Sequence, residues 1–208
     1  VGLKEITDFL ETRSIDKTSE MIDFQLEKID ENLNKLLKLK KELKLKKKKI
    51  AYFKNFQEYE IPKIKTFDRR YILLKSGKFQ EESEINLELK KLKTISQEDN
   101  DFIFTESEIG TIIKLENWIK DDYYNYSGTF IVTTDKMETF IEAGEYLTYF
   151  FRGDYSTVGE HYKKLKKYME INGLQVNGDI IEIYHIEMHI TENKNEYVTE
   201  IQIPLEKI

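Results

Sequence analysis

The 208-residue chain has no cysteine, only two prolines, nine glycines and a single tryptophan. Without cysteine it has no disulfide framework and no thiolate metal site, and a reducing cytoplasm is the simplest setting. No apolar run approaches the roughly 18 residues that a membrane span needs, and the N-terminus lacks the pattern of a signal peptide. A cytoplasmic location with no membrane partner is therefore expected. Gly-x-Ser-x-Gly turns, phosphate-cradling glycine loops and the helical His-Glu-x-x-His of metalloproteases are also missing. No catalytic residue and no cofactor is assigned, and the chain is not expected to be an enzyme.

Hydrophobic residues make up 39% and aromatics 12%, enough for the core of one domain or two. The net charge of -6 conceals an asymmetry. Residues 1 to 50 carry 13 Lys/Arg against 10 Asp/Glu, and the remaining 158 carry 20 against 29. That split suggests a basic arm joined to an acidic domain. The opening "VGLKEITDFL" already has helical spacing, with Leu3, Ile6, Phe9 and Leu10 along one side and neither an initiator Met nor an entry cap. The chain is accordingly expected to be a fragment.

After a break at "RSIDK", Thr18 or Ser19 is placed as the cap of a helix that runs to about Ile50 without Gly or Pro. Ile22, Leu26, Ile29, Leu33, Leu36, Leu43 and Ile50 follow heptad spacing, with Lys40 and Lys47 in the two slots that break it. The spacing reads as a coiled-coil seam for a homodimer through residues 19–50. An amphipathic helix packed on its own domain is the alternative. The run "LKLKKELKLKKKKI" carries enough lysine for phosphate contact but no interleaved aromatics for base stacking. It reads better as a solvated helix face.

Beyond residue 50 come short alternating runs, with helices expected at about Glu82–Ile95 and Thr157–Ile171. "TFDRRYILLK" from Thr66 resembles "TFIEAGEYLTYFF" from Thr139, and "LKKLKTI" resembles "YKKLKKYMEI" at the same offset of 73 residues. A duplicated strand-helix-strand unit follows. The expected fold is α+β: a pseudo-twofold antiparallel sheet covered on one side by two helices, with a cleft where the halves meet.

One strand, "GDIIEIYHIEMHI", places Ile180, Glu182, Tyr184, Ile186, Met188 and Ile190 on one face. Burying a carboxylate there is costly unless something pairs with it. On the other face His185, Glu187 and His189 alternate. The one further histidine is His161, so the set falls short of a metal site, no metal is assigned, and that side is read as a solvent-facing edge. Aromatics cluster in "NWIKDDYYNYSGTF" (Trp118, Tyr123, Tyr124, Tyr126 and Phe130) and recur at Tyr71, Tyr146, Tyr149, Tyr184 and Tyr197. Aromatic walls with a desolvated negative charge attract a lipophilic cation.

These motifs resemble the MerR-type transcription regulators, whose C-terminal part is a GyrI-like effector-binding domain. "VGLKEITDFLETRS" looks like the end of the MerR DNA-binding domain, and the heptad helix looks like the family's antiparallel dimerisation coil. "TFIEAGEYLTYFFRGDYSTVGEHYKKLKKYMEINGLQVNGDIIEIY" is similar to the effector domain's strand, helix and strand pattern with a central Glu. The resemblance implies residues 1–15 as the end of the DNA-binding domain, 16–50 as the dimerisation helix and 51–208 as the effector domain. It further implies that Glu182 receives the charge of a lipophilic cationic small molecule, with Tyr197 and Tyr126 in the pocket. Tyr149, Tyr71 and Trp118 complete the expected ligand-binding set. Promoter DNA would be met only through a helix-turn-helix upstream of Val1. A hydrolase using a pocket Glu and Tyr, and a module that sequesters a protein partner, are the rival readings.

Overall fold

A computed structural model describes residues 14–96 and 108–206. The expected end of a DNA-binding domain, residues 1–15, lies outside them but for its last two positions. The first helix, α1, spans Ile15–Lys54. It starts before Thr18 because Ser14 is the cap, its hydroxyl oxygen accepting from Lys17 N at 3.2 Å, and Asp16 complements the helix dipole in the first turn. The chain divides within this helix into a unit ending at Lys46 and a second from Lys47 to Ile208. In the first unit the heptad residues are bare: Ile22, Leu26, Ile29 and Leu33 are each about half exposed.

In the second unit the end of α1 is anchored, because Phe53 and Phe56 pack with Phe150, Ile186 and Val198. Then follow β1 (Lys63–Phe67), β2 (Arg70–Phe79), α2 (Glu82–Ser96), β3 (Ile109–Ile113), a short α3 (Leu115–Ile119), β4 (Tyr126–Thr133), β5 (Phe140–Ile141) and β6 (Gly144–Arg152). The chain ends with α4 (Val158–Ile171), β7 (Ile180–Ile186) and β8 (Val198–Pro204). The strands form one sheet in the order β1-β6-β8-β7-β3-β4-β2-β5, every pairing of which is antiparallel.

This order bears out the duplication. β2-α2-β3-β4 and β6-α4-β7-β8 are the same unit, related by a pseudo-twofold between β3 and β7. The edge strands are exchanged: β1 precedes the first unit but pairs with β6 of the second, and β5 precedes the second but pairs with β2 of the first. Both helices lie where periodicity puts them. α2 buries Ile85, Leu89 and Leu92, and α4 buries His161, Tyr162, Leu165 and Met169, both at helical spacing. The two stripes join one core with Ile113, Leu147, Tyr149, Ile180, Ile201 and Ile203 of the sheet, where each fully buried side chain contributes roughly 1.5–3 kcal/mol.

β7 departs from the simple alternation. The strand stops at Ile186, and a bulge between Tyr184 and Ile186 shifts its register with β8, so Ile186 turns to the opposite side and joins Phe53, Phe150 and Val198. Met188 is exposed in the turn that follows. The reading of His185 and Glu187 as a solvent edge is also corrected, since both are buried. His185 Nε2 meets Glu200 Oε2 of β8 at 2.8 Å, while Phe53 and Phe150 cover its ring at 4.7 and 5.5 Å. Burial holds this histidine below the usual range against the pull of Glu200. Among the described residues no three His, Asp or Glu side chains converge to hold a metal, and no helix is long and apolar enough to cross a membrane.

Candidate ligand-binding site

All seven residues of β7, "IIEIYHI", are buried, because the strand lies mid-sheet between β3 and β8 with apolar cover on both faces. Glu182 stands at its centre, opposite Thr111 on β3 and Ile201 on β8, and is 1% exposed. Its partners are hydroxyls. Tyr162 of α4 donates to Oε1 at 2.6 Å, and Tyr184 donates to Oε2 at 3.1 Å. Thr111 Oγ1 lies 3.5 Å from Oε2 and 2.8 Å from the Tyr184 hydroxyl, and Tyr126 adds a third phenolic donor.

Burial pushes the Glu182 carboxyl up to about 7, while the hydroxyl donors, Tyr162 foremost, pull the other way. Near neutral pH the group stands between acid and carboxylate. Its donors can stabilise an anion, yet hydroxyls bring no compensating charge. Burial, reinforced by the Glu182 charge, drives Tyr126, Tyr162 and Tyr184 far above the ordinary phenol range, so they remain protonated donors. Among the described residues no cationic side chain partners Glu182.

A cleft of about 260 Å³ opens beside this network. Ile85 and Leu89 of α2 and Ile109, Tyr126 and Tyr184 of the sheet line it, joined by Tyr124 and Tyr155 from connecting segments, with Glu82, Asp154, Glu187 and Lys194 as its charged residues. Tyr126 and Tyr184 face the cleft and also hold Glu182, which itself does not line it. They form the layer between the carboxyl and the space. The lining comes from both repeats, as expected of a cleft where the halves meet.

Of the other residues read from the sequence, Tyr197 packs at 5.0 Å, tilted by 31°, on Tyr155 behind the cleft wall. Trp118 is buried edge-on against Tyr162 at 5.2 Å and so braces the main donor to Glu182. Tyr149 reaches His161 Nδ1 of α4 at 3.0 Å. Tyr71 stands on β2 beside Phe140 of the edge strand β5, at 6.3 Å. Tyr162, Thr111 and Tyr155 are not singled out by the sequence alone. The inward stripe of α4 carries the signal for Tyr162, but nothing local marks Thr111, whose role depends on β3 lying beside β7.

The sequence matches no curated protein. Among solved structures, the chain is similar to the crystal structure of the EcmrR C-terminal domain, at 18% identity and a TM-score of 0.58 over 71% of this chain and 98% of that one. It is similar over its whole length to EcmrR in a cryo-EM complex with DNA, at 19% identity and a TM-score of 0.58 over 78% of that chain. A hydrolase encoded by lin2189 from Listeria innocua follows at 13% identity and a TM-score of 0.51, over 74% of this chain and 95% of that one. These likenesses are of fold. Residues 62–206 match the model of the GyrI-like small molecule binding domain, which covers more than half of the sequence. With its paired strand-helix-strand units and a cleft between them, the chain belongs to the GyrI-like family of small-molecule-binding domains.

Proposed function

We propose that this chain is the effector-sensing and dimerising part of a MerR-type transcription regulator of the cytoplasm, and that its ligand is a lipophilic cation. The observation that carries the reading is Glu182: a fully buried carboxyl with a pKa near neutrality, served by hydroxyls and screened from an aromatic cleft by two tyrosines. A flat cation entering the cleft would gain ring contacts from Tyr124, Tyr126, Tyr155 and Tyr184 and the charge of Glu182 at low dielectric. Promoter DNA as partner of the intact regulator is supported by the end-to-end likeness in fold to DNA-bound EcmrR.

The test is calorimetric titration of tetraphenylphosphonium and rhodamine dyes into the wild type across pH. Binding requires the carboxylate, so affinity should rise with pH through about 7 and level off above 8, falling about tenfold per unit below that range. No binding of any lipophilic cation, or an affinity that ignores pH, sinks the reading.

Dimerisation is proposed through the bare heptad stripe of α1, where covering each half-exposed Leu or Ile contributes roughly 1 kcal/mol. The chain should sediment as a dimer at micromolar concentration, and the double variant Leu26→Lys/Leu33→Lys as a monomer with an unchanged second unit. A monomeric wild type refutes the seam.

One observation favours a hydrolytic reading: a carboxyl titrating near 7 is where a general base works best. Against it, Glu182 does not line the cleft, and both its oxygens already accept hydroxyl protons. Turnover of a strained electrophile that disappears in Glu182→Gln would reverse the order.

A further inference from the structure

The mouth of the cleft already holds a cation. Lys194 lies in the 3-10 turn Lys194–Glu196, between β7 and β8, and lines the cleft. Its ammonium stands 3.0 Å from Asp154 Oδ2 and 3.6 Å from Glu82 Oε2. These carboxylates come from separate elements: Glu82 opens α2, and Asp154 caps the turn before α4, its Oδ1 accepting from Ser156 N at 2.9 Å. The backbone donor and the lysine hold Asp154 below the usual carboxylate range, and the two acids hold Lys194 above the usual lysine range. Asp154 and Lys194 are accordingly both charged at neutral pH.

We infer that Lys194 is a tethered counter-ion that competes with cationic ligands at the cleft mouth and so sets their affinity. This rests on the cation reading above. An incoming cation meets an ammonium that has partly neutralised the two acids facing it, and the approach is less attractive than the aromatic lining alone implies. The Lys194 side chain is half exposed, and exposed pairs of this kind are weak and easily broken. Lys194 therefore tunes entry without sealing the site, and it acts against cations while leaving neutral ligands indifferent. Glu82 and Asp154, freed from it, become a landing place for the ligand's charge before it reaches Tyr126 and Tyr184.

Calorimetric titration of tetraphenylphosphonium into the full chain at low salt tests this. Lys194→Met keeps the aliphatic stem and removes the charge, and it should bind the cation about three- to tenfold more tightly than the wild type. Lys167→Met removes the same charge from an exposed position of α4 outside the cleft and should change nothing. The gain should shrink at 0.5 M salt, where screening shortens the reach of Lys194 to about 4 Å. Binding by the wild type with no gain in Lys194→Met, or an equal gain in Lys167→Met, overturns this inference alone. Absence of binding in all three proteins overturns it together with the cation reading.

Discussion

Glu182→Gln should melt well above the wild type at pH 8, and should lose at least about tenfold in affinity for tetraphenylphosphonium. Both effects follow from one proton. The carboxyl titrates at about 7 when folded and near 4.5 when free, so the folded state holds its proton more tightly. Stability from this group is complete below about pH 4.5, declines as pH rises through 7, and is gone above 8. The 2.5-unit difference corresponds to about 3 kcal/mol, or about 6–12 °C for a domain of this size. Glutamine keeps the shape and an acceptor for Tyr162 but never takes the charge. Its advantage should be large at pH 8 and fall below about 1 kcal/mol at pH 5. Thermal melts of both proteins across this range, beside cation titrations at pH 8, measure the two effects together. Parallel melting profiles would mean that the donors fully compensate the buried charge.

Gly110→Ala should prevent folding, or cost at least about 3 kcal/mol in urea denaturation. Gly110 lies on β3 opposite Ile183 of β7 and Phe130 of β4. A β-carbon there would fall inside contact distance of the Glu182 carbonyl oxygen and 2.7 Å from the Phe130 ring. The ring has some freedom to turn, but the carbonyl belongs to the ladder and cannot move without parting β3 from β7. Whatever folds would carry a displaced Glu182, so cation binding should fall with stability. An alanine variant of wild-type stability would show that the two strands stand further apart than described.

Much of this architecture is legible in the residues themselves. Alternation alone places a carboxylate on a buried face of β7, and the 73-residue echo of "KKLK" points to the paired units of the sheet. What escaped depends on neighbours far away in sequence. Alternation says which side of β7 His185 faces, but not that Phe53 covers that side or that Glu200 on β8 supplies its partner. The bulge that turns Ile186 over is a property of the β7–β8 pair and not of either strand. Likewise Tyr162 gains its role only because α4 lies across β7, where it makes the shortest hydrogen bond to Glu182.

The exchanged edge strands limit how far the two repeats can move apart. Swinging the two repeats apart at the β3–β7 seam would also strip β1 from β6 and β5 from β2, because each repeat keeps a strand of its own on the far border of the other. The repeats are clasped at three places, and a hinge at one of them is locked by the other two. On the cation reading proposed above, the described parts that would move to admit a ligand to Glu182 are small: the side chains of Tyr126 and Tyr184, and one lysine at the rim. The sheet beneath can stay a fixed frame while the side chains above it do the moving.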